Sequence, residues 1–280
     1  MDGVAEKKVQ TNLSTDVDPK RTRDIIWTRS LSDWEVDRTW FGADASRVLH
    51  LPCIRLLPLS LDESTVAASA SASAVRSYSV CTSANAARFA LKTPAIVATM
   101  RQSSVIYTHG AVTAGILRSA GLPAHLVEAK SGKELGAFLL KELPEGADLF
   151  WPCGEAVAHD FTPELKKRNV TVRRVVLYET RLELTAADGS PLSDTYRTNL
   201  IQSFTGVVCF ASPSSAISFL KEFNPRENRL YEALTAMAIG STTAAEVRQH
   251  FRTVITPQAA TAAALAAAAL KLVHKNEIET

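Results

Sequence analysis

Hydroxyl side chains recur in this chain where apolar runs end, and they recur as pairs. Thr82-Ser83-Ala84-Asn85 with Phe89 returns as Ser212-Pro213-Ser214-Ser215 with Phe219. Thr108-His109-Gly110 with Thr113-Ala114 returns as Ala238-Ile239-Gly240 with Thr243-Ala244, and Leu135 returns as Leu265. The differences 219 − 89, 240 − 110, 243 − 113 and 265 − 135 all equal 130. Hydroxyls at a helix start lie beside unpaired N–H groups and the positive end of the dipole, where carboxylates and phosphates bind. The same residues also act as plain helix caps, with Pro213 favouring the first turn. Their recurrence at equivalent positions favours ligand binding, because two similar domains facing each other would line a common cleft with them.

Gly240-Ser241-Thr242-Thr243-Ala244, matched by Gly110-Ala111-Val112-Thr113-Ala114, allows a tight strand-to-helix turn and presents threonines to a ligand or to their own helix. It is too short for a phosphate-binding P-loop and lacks the lysine, and it is not the three-glycine dinucleotide fingerprint, so no nucleotide cofactor is expected. Tyr178 lies in Val175-Val176-Leu177-Tyr178-Glu179-Thr180, where strand alternation puts Val176 and Tyr178 on one face and Leu177 and Glu179 on the other. Its phenol can donate a hydrogen bond or a proton, or simply pack. Arg29, at the end of the first apolar run, is a candidate anion binder, since guanidinium stays charged. His109 occupies a strand end, but its counterpart in the second copy is Ile239, which favours packing; His125 follows Pro123 in an expected loop. No His-Glu-x-x-His, paired-cysteine cluster or G-x-S-x-G elbow occurs.

The elements that must position these residues follow from periodicity. Short apolar runs predict strands at Asp24–Thr28, Ser79–Thr82, Val105–Thr108, Leu149–Trp151, Val207–Phe210, Ala236–Ile239 and Val254–Thr256, each followed by a bend and a helical pattern. Helices are expected over Asp33–Phe41, Ala67–Ala74 and Gln258–Leu270, the last from its alanine content. This rhythm predicts an α/β protein of two similar three-layer domains, each a parallel sheet covered on both faces. The second copy ends soon after Leu265 and lacks a strand and helix, which Ile25–Arg29 and the following helix can supply. Domain A is therefore expected over 23–50 and 183–280, with domain B inserted over 60–170. Two extended segments, 51–59 and 171–182, would join them as a two-stranded β linker ending near Pro58, and 1–22 is expected to be a flexible segment.

Composition narrows the function classes. The net charge of +2, from 31 Lys and Arg against 29 Asp and Glu, makes no case for nucleic acid. Cys53, Cys81, Cys153 and Cys209 lie in or beside apolar runs without metal-ligand spacing, which points to core residues in a reducing compartment and to no metal. The polar N-terminus lacks an apolar signal region, and the alanine-rich tail is too weakly apolar to span a bilayer; a cytoplasmic protein is expected.

Taken together, Ile25-Ile26-Trp27-Thr28-Arg29, Thr82-Ser83-Ala84-Asn85-Ala86, Val175–Thr180, Phe210–Ser215 and Ala238–Ala244 resemble the uroporphyrinogen-III synthase family over about 24–270. The resemblance implies a HemD-like fold and a cofactor-independent, cyclising hydro-lyase of tetrapyrrole biosynthesis. Such an enzyme converts hydroxymethylbilane into uroporphyrinogen III with loss of water and inversion of ring D. It implies that Tyr178 assists departure of the hydroxyl, and that Thr82, Ser83, Thr113, Ser212, Ser214, Thr242 and Thr243 line the substrate cleft. Arg29 would add longer-range attraction. A monomer suffices, and transient contact with hydroxymethylbilane synthase is implied. Two features depart from the family: His109 stands where a small apolar residue is usual, and Ser30 where a proline is common. A catalytically idle binding protein for an anionic tetrapyrrole or other small molecule is the competing reading, followed by an unrelated enzyme acting on a nucleotide or sugar.

Overall fold

The computed structural model describes residues 24–61, 77–224 and 230–278. The segment 1–22 and the helix expected over Ala67–Ala74 lie outside the described residues. Strand β1 (Ile25–Trp27) leads into helix α1 (Leu31–Asp37), a 3-10 stretch over Arg38–Arg47 and β2 (Val48–His50). The helix expected to reach Phe41 thus stops at Asp37, and Gly42, at φ 52°, breaks the 3-10 stretch with a conformation that suits glycine. After β3 (Ile54–Pro58) come β4 (Ser77–Val80), α2 (Ala84–Leu91), α3 (Pro94–Gln102), β5 (Ile106–Thr108), α4 (Ala111–Ser119) and β6 (Ala124–Leu126). They are followed by α5 (Gly132–Glu142), β7 (Asp148–Gly154), α6 (Thr162–Lys166) and β8 (Thr171–Leu182). The remainder comprises α7 (Asp194–Ser203), β9 (Gly206–Phe210), α8 (Pro213–Glu222), α9 (Leu230–Ala233), β10 (Leu234–Ala238), α10 (Ser241–Val247), β11 (Thr253–Ile255) and α11 (Ala262–Ile278).

The chain divides into two compact units, one ending at Arg55 and resuming at Arg181, the other spanning Leu56–Thr180. The first holds a five-stranded sheet in the order β11-β10-β9-β1-β2, and the second a six-stranded sheet in the order β3-β8-β7-β4-β5-β6. β1 pairs in parallel with β9 and β2, and β7 pairs in parallel with β4 and β8. The N-terminal strand therefore holds, beside β9, the position that β7 holds beside β4. The two crossing segments, β3 and β8, are neighbours, but β8 also pairs with β7 from Thr171 to Tyr178. The linker expected over 171–182 is thus largely a member of the second sheet, with its backbone groups bonded on both sides, rather than half of a separate ribbon.

Both sheets bury both faces. In the first unit Ile26, Val208, Phe210 and Ala236 pack on one side with Phe219, Val247 and Phe251, while Ile25, Trp27, Val207, Cys209 and Met237 pack on the other with Leu265 and Ala269. In the second, Cys81, Ile106 and Phe150 meet α2, α3 and α4 through Ala87, Met100 and Leu117. Val80, Tyr107, Leu149 and Trp151 meet α5 and α6 through Leu135, Leu139 and Leu165. Moving from one face to the other after β6 while keeping strands parallel is the doubly wound arrangement, and it brings every strand-to-helix loop of a sheet to the carboxyl edge. The four cysteines are free and buried, as their apolar surroundings predicted. The two strands that periodicity missed, β2 and β6, are only three residues long, and His125 belongs to β6 rather than to a loop. The terminal helix starts at Ala262, later than expected, because the Thr261 hydroxyl accepts the Ala264 N–H and sets its first turn.

His50 closes β2. Its ring stacks on Trp34 at 4.4 Å, its Nε2 donates to the Arg29 carbonyl at 2.9 Å, and burial is the main cause that lowers its pKa to about 4. A histidine held neutral in the fold stabilises it above its unfolded pKa near 6.5, and this contribution is lost as pH falls towards 4. Denaturant unfolding at pH 7.5 and pH 5 should show a loss of about 2 kcal/mol from this group. His50→Leu should flatten that pH dependence.

Candidate active site

The site is assembled where the second sheet reverses its strand order. β4 and β7 lie side by side, β5 and β6 extend one way and β8 the other, so the loops after β4 and β7 diverge and leave a crevice at their carboxyl ends. A cavity of about 150 Å³ opens there, lined by Thr82 and Ser83 after β4, His109 after β5, Gly154 and residues 156–159 after β7, and Tyr178 of β8. Drug-sized ligands fill roughly 300–1,000 Å³, so this volume accepts one arm of a larger molecule.

Tyr178 enters the cavity through a break in register. β7 and β8 pair residue for residue up to Cys153 with Val176, but Gly154 pairs with Tyr178, leaving Leu177 as the extra residue of a bulge. The expected alternation therefore fails: Leu177 and Tyr178 are consecutive yet belong to the same core cluster, while Val176 packs against the opposite one. The Tyr178 ring stacks on Phe89 at 4.7 Å and 17°, and is 7% exposed. Its hydroxyl lies 3.4 Å from Ser83 Oγ, too long to hold either group firmly. Burial raises the phenol pKa, opposed by the Ser83 hydroxyl, so Tyr178 stays protonated at neutral pH and keeps a proton to donate.

Ser83 is the N-cap of α2 and accepts the Ala86 N–H at 3.1 Å; Ser212 caps α8 by accepting the Ser215 N–H, also at 3.1 Å. The caps show that Ser212 corresponds to Ser83 rather than to Thr82, and the buried faces of the two helices keep that offset of 129 (212 − 83): Ala86, Ala87 and Ala90 of α2 match Ser215, Ala216 and Phe219 of α8. Ser214 is half-buried in the first turn of α8, and Thr242 is exposed in the first turn of α10. Thr113 and Thr243 are buried at 3% and 2% exposure. A side chain on Gly110 would press on Thr113 Oγ1 at 3.1 Å, which gives this threonine a place in its own helix turn instead of in the cavity. Arg29 is held by two buried carboxylates, with Nη2 3.0 Å from Asp33 and Nη1 3.3 Å from Asp37. Trp27 Nε1 and Ser30 Oγ also donate to these aspartates. The Arg29 charge is balanced in place by these two carboxylates.

Periodicity gave no reason to choose the loop after β7. Arg174 holds it: the guanidinium lies over the Trp151 ring at 5.5 Å, donates to Cys153 Sγ at 3.2 Å and to the carbonyls of Gly154 and Glu155, and sits 3.6 Å from Asp160. A Cβ on Gly154 would fall 2.7 Å from Tyr178 Cζ, so the ring rests directly on glycine backbone. His159 completes the wall, in space left by Gly132 and Gly136. Among the described residues no three His, Cys, Asp or Glu side chains are placed to hold a metal ion, and no helix is long and apolar enough to cross a membrane.

Two doubly wound units, one with a hydroxyl-, phenol- and imidazole-lined cavity at its strand-order reversal, define an α/β protein with a candidate ligand site at the carboxyl edge of a parallel sheet. The sequence profile of uroporphyrinogen-III synthase HemD matches residues 42–267. The chain belongs to this family of tetrapyrrole biosynthesis. Two solved structures share its fold: uroporphyrinogen-III synthetase from Helicobacter pylori, at 19% identity and TM-score 0.55 over 89% of this chain and 99% of that one; and a mutant uroporphyrinogen III synthase from the extremely thermophilic bacterium Thermus thermophilus, at 17% identity and TM-score 0.56 over 90% and 99%. No curated protein is significantly similar in sequence.

The contact between Gly154 and Tyr178 is testable by substitution. Gly154→Ala should displace the ring from Phe89 and destabilise the second unit by about 1–3 kcal/mol, the usual cost of overpacking, measured by denaturant unfolding. Unchanged stability would show that the loop yields without cost.

Proposed function

We propose that the protein is a uroporphyrinogen-III synthase that closes hydroxymethylbilane into uroporphyrinogen III with loss of water and inversion of ring D. The observation that carries this reading is the protonated, half-free phenol of Tyr178 in a cavity without a carboxylate among its lining residues. Family membership supplies the tetrapyrrole class of ligand.

The substrate makes modest demands on ionisable groups. Pyrrole nitrogen electrons expel the hydroxymethyl oxygen, and Tyr178 donates the proton with which it leaves as water. The resulting azafulvene is attacked by the substituted carbon of ring D to give a spiro intermediate. Cleavage of the older bond at that carbon and closure at the other α-carbon invert the ring, and loss of the proton there restores the pyrrole. The protein's task is to hold one fold of the chain and suppress closure without inversion, through proximity and fixed dipoles. Thr82, Ser83 and the first turn of α2 are donors for substrate carboxylates in the second unit; Ser212, Ser214 and Thr242, at the starts of α8 and α10, are the corresponding donors of the first. The substrate is the product of hydroxymethylbilane synthase, from which the chain would receive it by transient contact, as a monomer.

Incubation with freshly made hydroxymethylbilane, followed by oxidation and separation of uroporphyrin isomers, should give predominantly isomer III. Isomer I at the level of a protein-free control would reject the activity, and tight association without conversion would favour an idle binding protein. Tyr178→Phe keeps the ring on Phe89 and should lower turnover roughly 10-fold or more; an unchanged rate would remove Tyr178 from proton donation.

A further inference from the structure

The His109 ring borders two cavities of the second unit. On one side lies the cavity of Thr82, Ser83, His159 and Tyr178; on the other lies an open hollow of about 400 Å³ at the ends of β5 and β6, bordered by Glu128, Lys130 and Glu134. The two nitrogens of the ring differ. Nδ1 is enclosed and has no hydrogen-bond partner among the described residues. An enclosed N–H without an acceptor is costlier and rarer than an enclosed lone pair, so the proton belongs on the other nitrogen. Nε2–H is then the polar group of His109 left to face a ligand. Burial also lowers the pKa of His109, so the ring is neutral at pH 7 and still a donor.

The charges around the ring decide which side an anion takes. The open hollow carries two glutamates, Glu128 and Glu134, the latter accepting the Lys130 backbone N–H at 3.0 Å. The Tyr178 side has hydroxyls and imidazoles and no acid among its lining residues; the nearest carboxylate to His159 there is Glu164, at 3.8 Å. An anionic arm is therefore repelled from one face of His109 and accepted on the other. We infer that His109, as a neutral imidazole protonated on Nε2, donates a hydrogen bond to a carboxylate of the tetrapyrrole in the Tyr178 cavity and thereby helps fix the substrate's fold. The assignment rests on the synthase reading for the identity of the ligand. It gives His109 a task that its apolar counterpart Ile239 cannot perform, and it makes the residue a determinant of substrate affinity rather than an acid or base.

Side-chain geometry provides the test. His109→Gln keeps an N–H near the position of Nε2, His109→Asn moves the amide to the position of Nδ1, and His109→Phe keeps a ring without a donor. KM for hydroxymethylbilane should rise roughly 10-fold or more in the Asn and Phe variants, stay within about 3-fold of wild type in the Gln variant, and move more than kcat. Wild-type KM should be flat between pH 6.5 and 8. A Gln variant as damaged as Phe, or a wild-type KM that climbs as pH rises through 7, would overturn the inference in favour of a base or an imidazolium. Nitrogen NMR of the imidazole should show Nδ1 unprotonated, and a proton on Nδ1 would also overturn it. Quenching of uroporphyrin I fluorescence separates this claim from the synthase reading. If neither wild type nor any variant forms isomer III but wild type and Gln bind uroporphyrin I more tightly than Asn and Phe, the synthase reading fails and the donor role of His109 stands; equal binding by all four sinks that role.

Discussion

The register break between β7 and β8 is the constraint on which the candidate site depends. Regular pairing would point Tyr178 away from the face on which Leu177 packs; the extra residue opposite Gly154 turns the ring onto that face, over Phe89 and beside the Ser83 cap. The bulge works only because Gly154 has no side chain, as the ring atoms occupy the space a Cβ would need. Arg174 fastens the carbonyls of Gly154 and Glu155 and rests on Trp151, so the strand end is anchored by charge-assisted bonds to backbone as well as by ladder pairing. Bulges commonly re-aim a side chain beside an active site, and here three residues distant in sequence cooperate to aim one phenol.

The internal repeat is a repeat of architecture more than of chemistry. In the second unit, the crevice between β4 and β7 is lined by neutral donors. The matching ends of β9 and β1 in the first unit carry Ser212 on one side and Arg29 on the other, and Arg29 is locked to Asp33 and Asp37 with the His50 ring bonded to its carbonyl. Two buried carboxylates against one guanidinium leave no positive charge to offer an anion. Their bonds to Trp27 and Ser30 satisfy the lone pairs that burial would otherwise leave unpaired. Arg29 thus braces the first strand-to-helix loop through Asp33 and Asp37.

What the sequence made legible follows what is local in its physics. Seven apolar runs gave seven strands within a few residues, because burial on both faces leaves a continuous apolar signature. Gly110, Gly240 and the capping serines marked helix starts because those preferences act within a turn. The strands at Val48–His50 and Ala124–Leu126 escaped because each is only three residues long and one of the three is a histidine, which shortens the apolar run that marked the other three-residue strands. The cap equivalence of Ser83 and Ser212 was missed because the likeness of Phe89 to Phe219 suggested an offset one residue too long, while the buried helix faces align Phe219 with Ala90. The bulge at Gly154 and the burial of Thr113 and Thr243 depend on elements far away in the chain, whereas the partners of Arg29 lie four and eight residues on, and their spacing alone did not show that both would turn back onto one guanidinium. Tyr178 could be chosen from the sequence, while its orientation could not.

A cavity lined by neutral groups also fits the chemistry of the proposed reaction. A fixed cation would bind the ground state and every later species alike, and uniform binding of that kind does not speed closure. Hydroxyls, N–H groups and a protonated phenol instead respond to charge as it develops on the departing oxygen, and they carry no desolvation cost for a buried ion of their own. The raised pKa of Tyr178 belongs to the same logic: burial makes it a weaker acid, yet it guarantees that the donor is loaded with its proton at neutral pH. In the proposed reaction, where pyrrole nitrogen expels the hydroxyl, a weak acid held in place would suffice, and a strong acid would risk protonating the pyrrole carbons. On the proposed reading, selection of one folded substrate, rather than strength of any single acid or base, is the property that this sheet edge would supply.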